Sequence, residues 1–384
     1  MSVTCAKGFR AAGVAAGLKS SGNKDVSIVI NDGPSRVAAG VFTRNRVRAA
    51  PVTWSEQVLK SHQVRAVILN SGGANACTGP DGFVDTHRTA EHVARLLACG
   101  AGEVAVCSTG LIGDRLPMDL LLSGVERAVA DATENGGEDA SLAIMTTDSM
   151  PKRAELENPS KYRIGGMAKG AGMLAPGLAT MLVVITTDAV ISAELADAAL
   201  RSATSQSFDR IDSDGCMSTN DTVLLLASGA SGVSPTSDEF VRDLRVVCES
   251  LARQLIADAE GATKDIAILV RNSASEADGL EVARAVSRSN LLKCAVHGED
   301  PNWGRVLAAV GTTSAEFDPL AIDVAMNGVW VCRASAPDED RSLVDMSGRE
   351  VRIEINLHAG SHEVCVWTND LTAMYVHENS AYAT

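Results

Sequence analysis

Gly165-Gly166-Met167-Ala168-Lys169-Gly170-Ala171-Gly172-Met173-Leu174-Ala175-Pro176-Gly177-Leu178-Ala179 runs directly into Thr180 and the apolar Met181-Leu182-Val183-Val184-Ile185. Five glycines and one proline fall within residues 165–179, and Lys169 is the one charge. A linker between domains is normally polar. An apolar glycine-rich stretch is expected to pack inside, with backbone conformations that side chains forbid. The stretch delivers a threonine to the first position of a buried strand. A threonine hydroxyl is a poor nucleophile unless a base lies beside it, and an N-terminal threonine carries that base as its own α-amine. An α-amine has a pKa of about 7.7–8.0, and a nearby cation such as Lys169 favours its neutral form. For the internal Thr180, this chemistry requires cutting the Ala179–Thr180 bond. An Ala-Thr pair before a strand is also ordinary core sequence, and the residues alone leave both readings open.

Working outward, Val- and Ile-rich runs of four to six residues read as strands at 26–30, 64–69, 104–107, 181–186, 223–227, 266–270, 351–356 and 364–367. The clearest helix covers 238–259, where Val241, Leu244, Val247, Cys248, Leu251, Leu255 and Ala259 recur at spacings of three and four, with Gly261 placed to end it. Weaker helical patterns cover 87–97, 118–130, 193–205 and 277–292, and the last 60 residues carry β-like runs with almost no helical pattern. Strands and helices do not alternate strictly. The expected class is α+β, with layered sheets covered by helices, rather than a doubly wound parallel sheet.

The chain has 384 residues, 34 Lys and Arg against 48 Asp and Glu, and a formal charge of −14. That length suggests two or three domains, or one large mixed fold. Apolar residues at 46% supply ample core and exclude disorder as the dominant state. The negative balance argues against nucleic acid and against anionic membranes. No apolar run approaches the roughly 18–20 residues of a membrane span. The opening MSVTCAKGFR lacks an apolar signal core, so a cytoplasmic protein is expected. Nine cysteines include no C-x-x-C pair, which removes zinc-ribbon, redox-pair and disulfide-framework readings. His358 and His362 lack the intervening glutamate of a zinc-protease motif, and no metal site is expected. Gly-rich phosphate motifs and the G-x-S-x-G elbow are absent.

Other polar clusters carry two readings each. Ser108-Thr109-Gly110 follows the 104–107 strand, where a loop can present a hydroxyl and a backbone N–H as an oxyanion hole, or simply turn the chain. Residues 70–79 and Ser218-Thr219-Asn220-Asp221-Thr222 are dense in groups that usually satisfy turn backbones. Asp300-Pro301-Asn302-Trp303-Gly304-Arg305 suits stacking or a buried anchor. Glu260 would ordinarily be a solvated helix-end carboxylate.

Taken together, these segments resemble the bacterial glutamate N-acetyltransferase family, also called ornithine acetyltransferase, of arginine biosynthesis. The resemblance runs from residues 8–19 through Gly40-Val41-Phe42-Thr43-Arg44-Asn45, residues 70–79, residues 107–113 and Met145-Thr146-Thr147-Asp148. It continues through residues 165–188, 218–222, Asp258-Ala259-Glu260-Gly261 and 300–311, to Glu378-Asn379-Ser380-Ala381-Tyr382-Ala383-Thr384. Cys216-Met217 stands where relatives often carry small polar residues, and Ala383 where Thr or Ser is common.

The resemblance implies an architecture similar to the aminopeptidase–acyltransferase branch that resembles the N-terminal nucleophile hydrolases. It implies self-cleavage between Ala179 and Thr180, giving chains of residues 1–179 and 180–384 that build one shared fold. Thr180 becomes the acetyl carrier, and Thr109 and Gly110 match the oxyanion pair. Thr146 or Thr147, Lys169, Thr180, Glu260, Asn379 and Thr384 match the substrate contacts. Acetyl then passes from N2-acetyl-L-ornithine to L-glutamate by a ping-pong route without a cofactor. Acetyl-CoA serves as a substrate only in bifunctional members. Two α and two β chains are expected to assemble. The alternatives are a self-processing amidase or aminopeptidase of the same architecture, and a non-catalytic amino-acid-binding protein.

Overall fold

The alternation of side chains along the apolar runs decides the layering. In the strand Leu182–Thr187, Leu182 and Val184 face one interior while Val183 and Ile185 face another. The neighbouring strand Thr222–Ala227 divides in the same way, with Leu224 and Leu226 on one side and Val223 and Leu225 on the other. A strand buried on both faces must lie between two layers. The structure is a computed structural model that describes residues 2–175 and 181–381. Ala179, Thr180 and Thr384, on which the cleavage, nucleophile and tail expectations fall, lie outside the described residues.

A five-stranded sheet runs in the order Val37–Phe42, Thr222–Ala227, Leu182–Thr187, Arg163–Lys169 and Lys152–Glu157. A four-stranded sheet runs Phe9–Val14, Val26–Asn31, Ala66–Asn70 and Val104–Ser108. The two pack face to face, with Val29, Val67, Leu69 and Cys107 of the smaller sheet meeting Met167, Leu182, Val184 and Leu224 of the larger. Helices Ala193–Ser205 and Ser237–Ala257 cover the outer face of the five-stranded sheet, and Gly79–Leu97 and Met118–Asp131 cover that of the four-stranded sheet. The result is helix, sheet, sheet, helix, as the layered α+β expectation requires.

Each sheet contains one parallel pair, Ala66–Asn70 with Val104–Ser108 and Leu182–Thr187 with Thr222–Ala227. Gly79–Leu97 and Ala193–Ser205 form the respective crossovers, as parallel strands demand. A six-stranded sheet holds Ala336–Pro337, Val329–Arg333, Asp323–Met326, Glu350–Asn356, Asp265–Ser273 and His362–Asn369. It packs on helices Glu276–Ser287, Asn290–His297 and Trp303–Val310. No helix among the described residues is long and apolar enough to cross a membrane.

Several expectations change. The helical pattern at 277–292 is two helices, because Ser289 accepts the Leu292 N–H and starts the second as its N-cap. The long helix stops at Ala257, before Gly261, which instead lets the chain pass against the Tyr375 backbone, where a Cβ would lie 2.3 Å from the amide nitrogen. The last 60 residues contain the helix Ala373–Ala381, which buries no residue and so shows no apolar stripe. The glycine-rich stretch opens as the second half of the strand Arg163–Lys169. Gly165 is needed there for close approach, since a Cβ would sit 2.2 Å from the Ser2 carbonyl oxygen.

Candidate active site

Two loops leave the C-terminal ends of the parallel pair in the four-stranded sheet and zip together. The Thr109 N–H donates to Asn70 O at 3.0 Å, the Gly73 N–H to Thr109 O at 3.0 Å, and the Ala74 N–H to Leu111 O at 2.9 Å. Asn220 ties them from behind, its Nδ2 donating to Ala74 O at 2.6 Å and Ser108 O at 2.8 Å. That is the turn-satisfying role expected of this polar cluster. Gly110 has φ +132°, and a Cβ there would lie 2.8 Å from the Gly73 nitrogen, so glycine is required on both counts. No described residue accepts the Gly110 N–H.

Lys169, the last residue of its strand, is 1% exposed and donates from Nζ to Thr109 Oγ1 at 3.0 Å. A hydroxyl that accepts from an ammonium keeps its own proton free to donate elsewhere. Among the described residues neither the Thr109 Oγ–H nor the Gly110 N–H meets an acceptor, and two such donors side by side at a loop are what an oxyanion needs. Burial pushes the Lys169 ammonium below its ordinary value, with Asp148 opposing that effect.

Glu260 anchors a second group. Thr147 Oγ1 donates to its Oε1 at 2.7 Å and Asn379 Nδ2 to its Oε2 at 2.9 Å. The carboxylate rests on Gly172, where a Cβ would lie 2.7 Å from both of its oxygens. The Glu260 N–H also donates to Ala171 O at 3.0 Å, fixing the helix end to the glycine-rich loop. Glu260 is thus gripped on several sides, unlike a free helix-end carboxylate. Of the two candidate threonines, Thr147 reaches this carboxylate. Thr146 donates through its backbone N–H to Asp148 Oδ2 at 2.9 Å, and its side chain makes no hydrogen bond to Glu260. Glu260 further lines a polar cavity of about 310 Å³ together with Asp214, Arg288, Lys293, Asn369 and Tyr375.

Residues absent from the sequence-derived set also converge here. The strand beginning at Leu182 is preceded by Met181, whose N–H donates to Asp221 Oδ1 at 3.1 Å. Burial pushes the Asp221 carboxyl well above its ordinary value. Asp148 and Lys152 form a fully buried ion pair beneath the Thr146-Thr147 turn. The segment 300–305 lies elsewhere: Asn302 caps the helix Trp303–Val310, and Trp303 packs on the core beneath the six-stranded sheet. No group of three or more His, Cys, Asp or Glu among the described residues could hold a metal ion.

Comparison with known proteins agrees along the whole chain. The ArgJ family model matches residues 10–384. Over 384 residues the chain is 64% identical to the arginine biosynthesis bifunctional protein ArgJ of Streptomyces coelicolor, covering 100% of both chains. It is 61% identical to the protein of the same name from Thermobifida fusca, again covering 100% of both. Among solved structures, the ornithine acetyltransferase of Mycobacterium tuberculosis complexed with ornithine is 59% identical, over 47% of this chain and 96% of that one, with a TM-score of 0.46.

Proposed function

The chain belongs to the ArgJ family, and on that premise we propose that it transfers acetyl from N2-acetyl-L-ornithine to L-glutamate through an ester on Thr180. The observation that carries the reading is the Lys169–Thr109 hydrogen bond beside Gly110, where, among the described residues, neither the Thr109 hydroxyl proton nor the Gly110 N–H has an acceptor.

In this scheme the Ala179–Thr180 bond is first cut, giving chains of residues 1–179 and 180–384. The α-amine of Thr180, directly or through water, takes the hydroxyl proton as the oxygen attacks the acetyl carbonyl. Thr109 Oγ–H and Gly110 N–H stabilise the oxyanion. The intermediate collapses to the acetyl ester, and ornithine leaves with the proton held on the α-amine. Glutamate then attacks the ester through its own amine and regenerates Thr180. The acetyl bond is conserved in energy, so no cofactor enters. Thr147, Lys169, Glu260 and Asn379, with Thr384 and the neighbouring Thr146, form the substrate-binding set. Two copies of each chain in the cytoplasm complete the reading.

Purified protein incubated with acetylornithine tests it. Ornithine release that depends on glutamate supports transfer, whereas release that ignores glutamate turns the reading to an amidase. A single intact 40.0 kDa species from folded, active protein would remove the N-terminal threonine from the mechanism. The word bifunctional in the relatives' names favours a second activity, with acetyl-CoA as an alternative donor to glutamate. Release of free CoA thiol that requires glutamate, measured without acetylornithine, checks it.

A further inference from the structure

We propose that Asp148, clamped by Lys152, is a positioning residue that holds the oxyanion side and the Glu260 side of the site in one fixed relation. The proposal rests on the acetyl-transfer reading above and deepens it.

Asp148 uses both oxygens. Oδ1 accepts the Gly170 N–H at 2.7 Å, next to Lys169, and Oδ2 accepts the Thr146 N–H at 2.9 Å, next to Thr147. One carboxylate therefore joins the strand end that carries Lys169 to the turn that carries Thr147. Lys152 Nζ donates to the same Oδ1 and also to Asp258 Oδ2. Asp258 caps the helix that leads to Glu260, and it returns to the turn by accepting the Ser149 N–H at 3.0 Å. Three separate segments, 146–149, 169–170 and 258–260, are thereby locked by two carboxylates and one ammonium. The side chains of Asp148 and Lys152 are 0% exposed, and that of Asp258 is 9% exposed.

Such a group is a poor device for stability alone, because desolvating buried charges offsets most of their attraction. What it provides is position. Small displacements of catalytic groups are costly, and about 1 Å can lower a rate roughly a hundred-fold. Its charge matters as well. The groups facing the Lys169 ammonium are Asp148 and Asp221, which favour its protonation, and Lys152 and Lys19, which oppose it. Removing the Asp148 charge leaves Lys169 easier to deprotonate, and a neutral amine is a weaker donor to Thr109 Oγ1.

The test is Asp148→Asn, with folding checked by circular dichroism. The expected result is a fall in kcat of about a hundred-fold, with the alkaline limb of its pH profile about one pH unit lower. A folded variant with wild-type kcat and limb overturns the proposal. Should Asp148→Asn not fold, Asp258→Asn decides. It leaves the Asp148 contacts intact and loosens only the Glu260 side, so KM for both substrates is expected to rise several-fold with the limb unmoved, and wild-type KM overturns the clamp. A readout independent of turnover separates the two readings: the Lys169 13Cε resonance, assigned with Lys169→Met, is titrated in both proteins. An unmoved midpoint in Asp148→Asn sinks the clamp, whereas absent acetyl transfer by the wild type sinks the functional reading instead.

Discussion

Lys169 Nζ donates to Thr109 Oγ1 at 3.0 Å across the interface of two packed sheets. Lys169 is 1% exposed, and among the described residues the threonine proton has no acceptor. Thr109→Ala removes that donor while leaving the loop pairing intact. The expected outcome is a kcat lower by about 10²–10³ with little change in KM. A Thr109→Ser control that retains the hydroxyl should recover most of the rate, and steady-state kinetics of both variants checks this.

Gly172→Ala separates site from scaffold. The added methyl would press on the two Glu260 oxygens at 2.7 Å, and these are the far end of a flexible side chain that can move aside. Tm is expected to stay within about 2 °C, while KM for acetylornithine rises roughly ten-fold. An unchanged KM would remove Glu260 from the binding set.

Gly110→Ala meets backbone instead. With φ +132° and a Cβ 2.8 Å from the Gly73 nitrogen, the loops must part for it to fit. We expect a loss of about 1–3 kcal/mol, read as a lower urea midpoint, together with a loss of activity out of proportion to it.

Asp221 governs a pH dependence. Its carboxyl lies well above the ordinary value in the folded protein because burial disfavours the charge. Above pH 3.8, the unfolded chain gives up this proton while the folded chain keeps it, so stability falls as pH rises from there toward the folded value. Asp148 works in the opposite direction. Burial raises it, but Lys169, Lys152 and the Gly170 N–H outweigh burial and hold it below 3.8, so its contribution is present above that value and lost as pH falls below it. Asp221→Asn is expected to flatten the decline between about pH 4 and 7. Urea midpoints of both proteins at those two pH values check it, and parallel declines would contradict the assignment.

Much of the scaffold could be read from periodicity. The Val- and Ile-rich runs are strands, and the seven-residue apolar stripe from Val241 to Ala259 lies on the helix Ser237–Ala257 or just beyond its end. Elements without an apolar period escaped. Arg163–Lys169 is a strand made largely of Gly, Ala and Met, chosen for closeness to Ser2 and Leu251 rather than for β-propensity. Ala373–Ala381 buries no residue and had no stripe to show.

The same limit applies at the site. Thr109-Gly110 could be placed at a strand end from local sequence, and the structure puts it there with Lys169 beside it. Thr146 and Thr147 are chemically identical neighbours, and only the fold turns Thr147 toward Glu260. Asp148, Lys152 and Asp258 look like surface charges in the sequence, because nothing in a charged residue's neighbours reveals that its counter-ion arrives from a distant segment.

The weave of the five-stranded sheet bears on how such a protein could ever be made. Strands from before residue 179 and after residue 180 are hydrogen-bonded neighbours twice over, Val37–Phe42 with Thr222–Ala227 and Arg163–Lys169 with Leu182–Thr187. Neither length of chain can complete the five-stranded sheet without the other. Breaking the peptide between them would give no route to separation short of unravelling the sheet from its middle. Two such pieces would have to be born as one and severed only after folding, and a cut there would be an edit to reactivity that the architecture need never register.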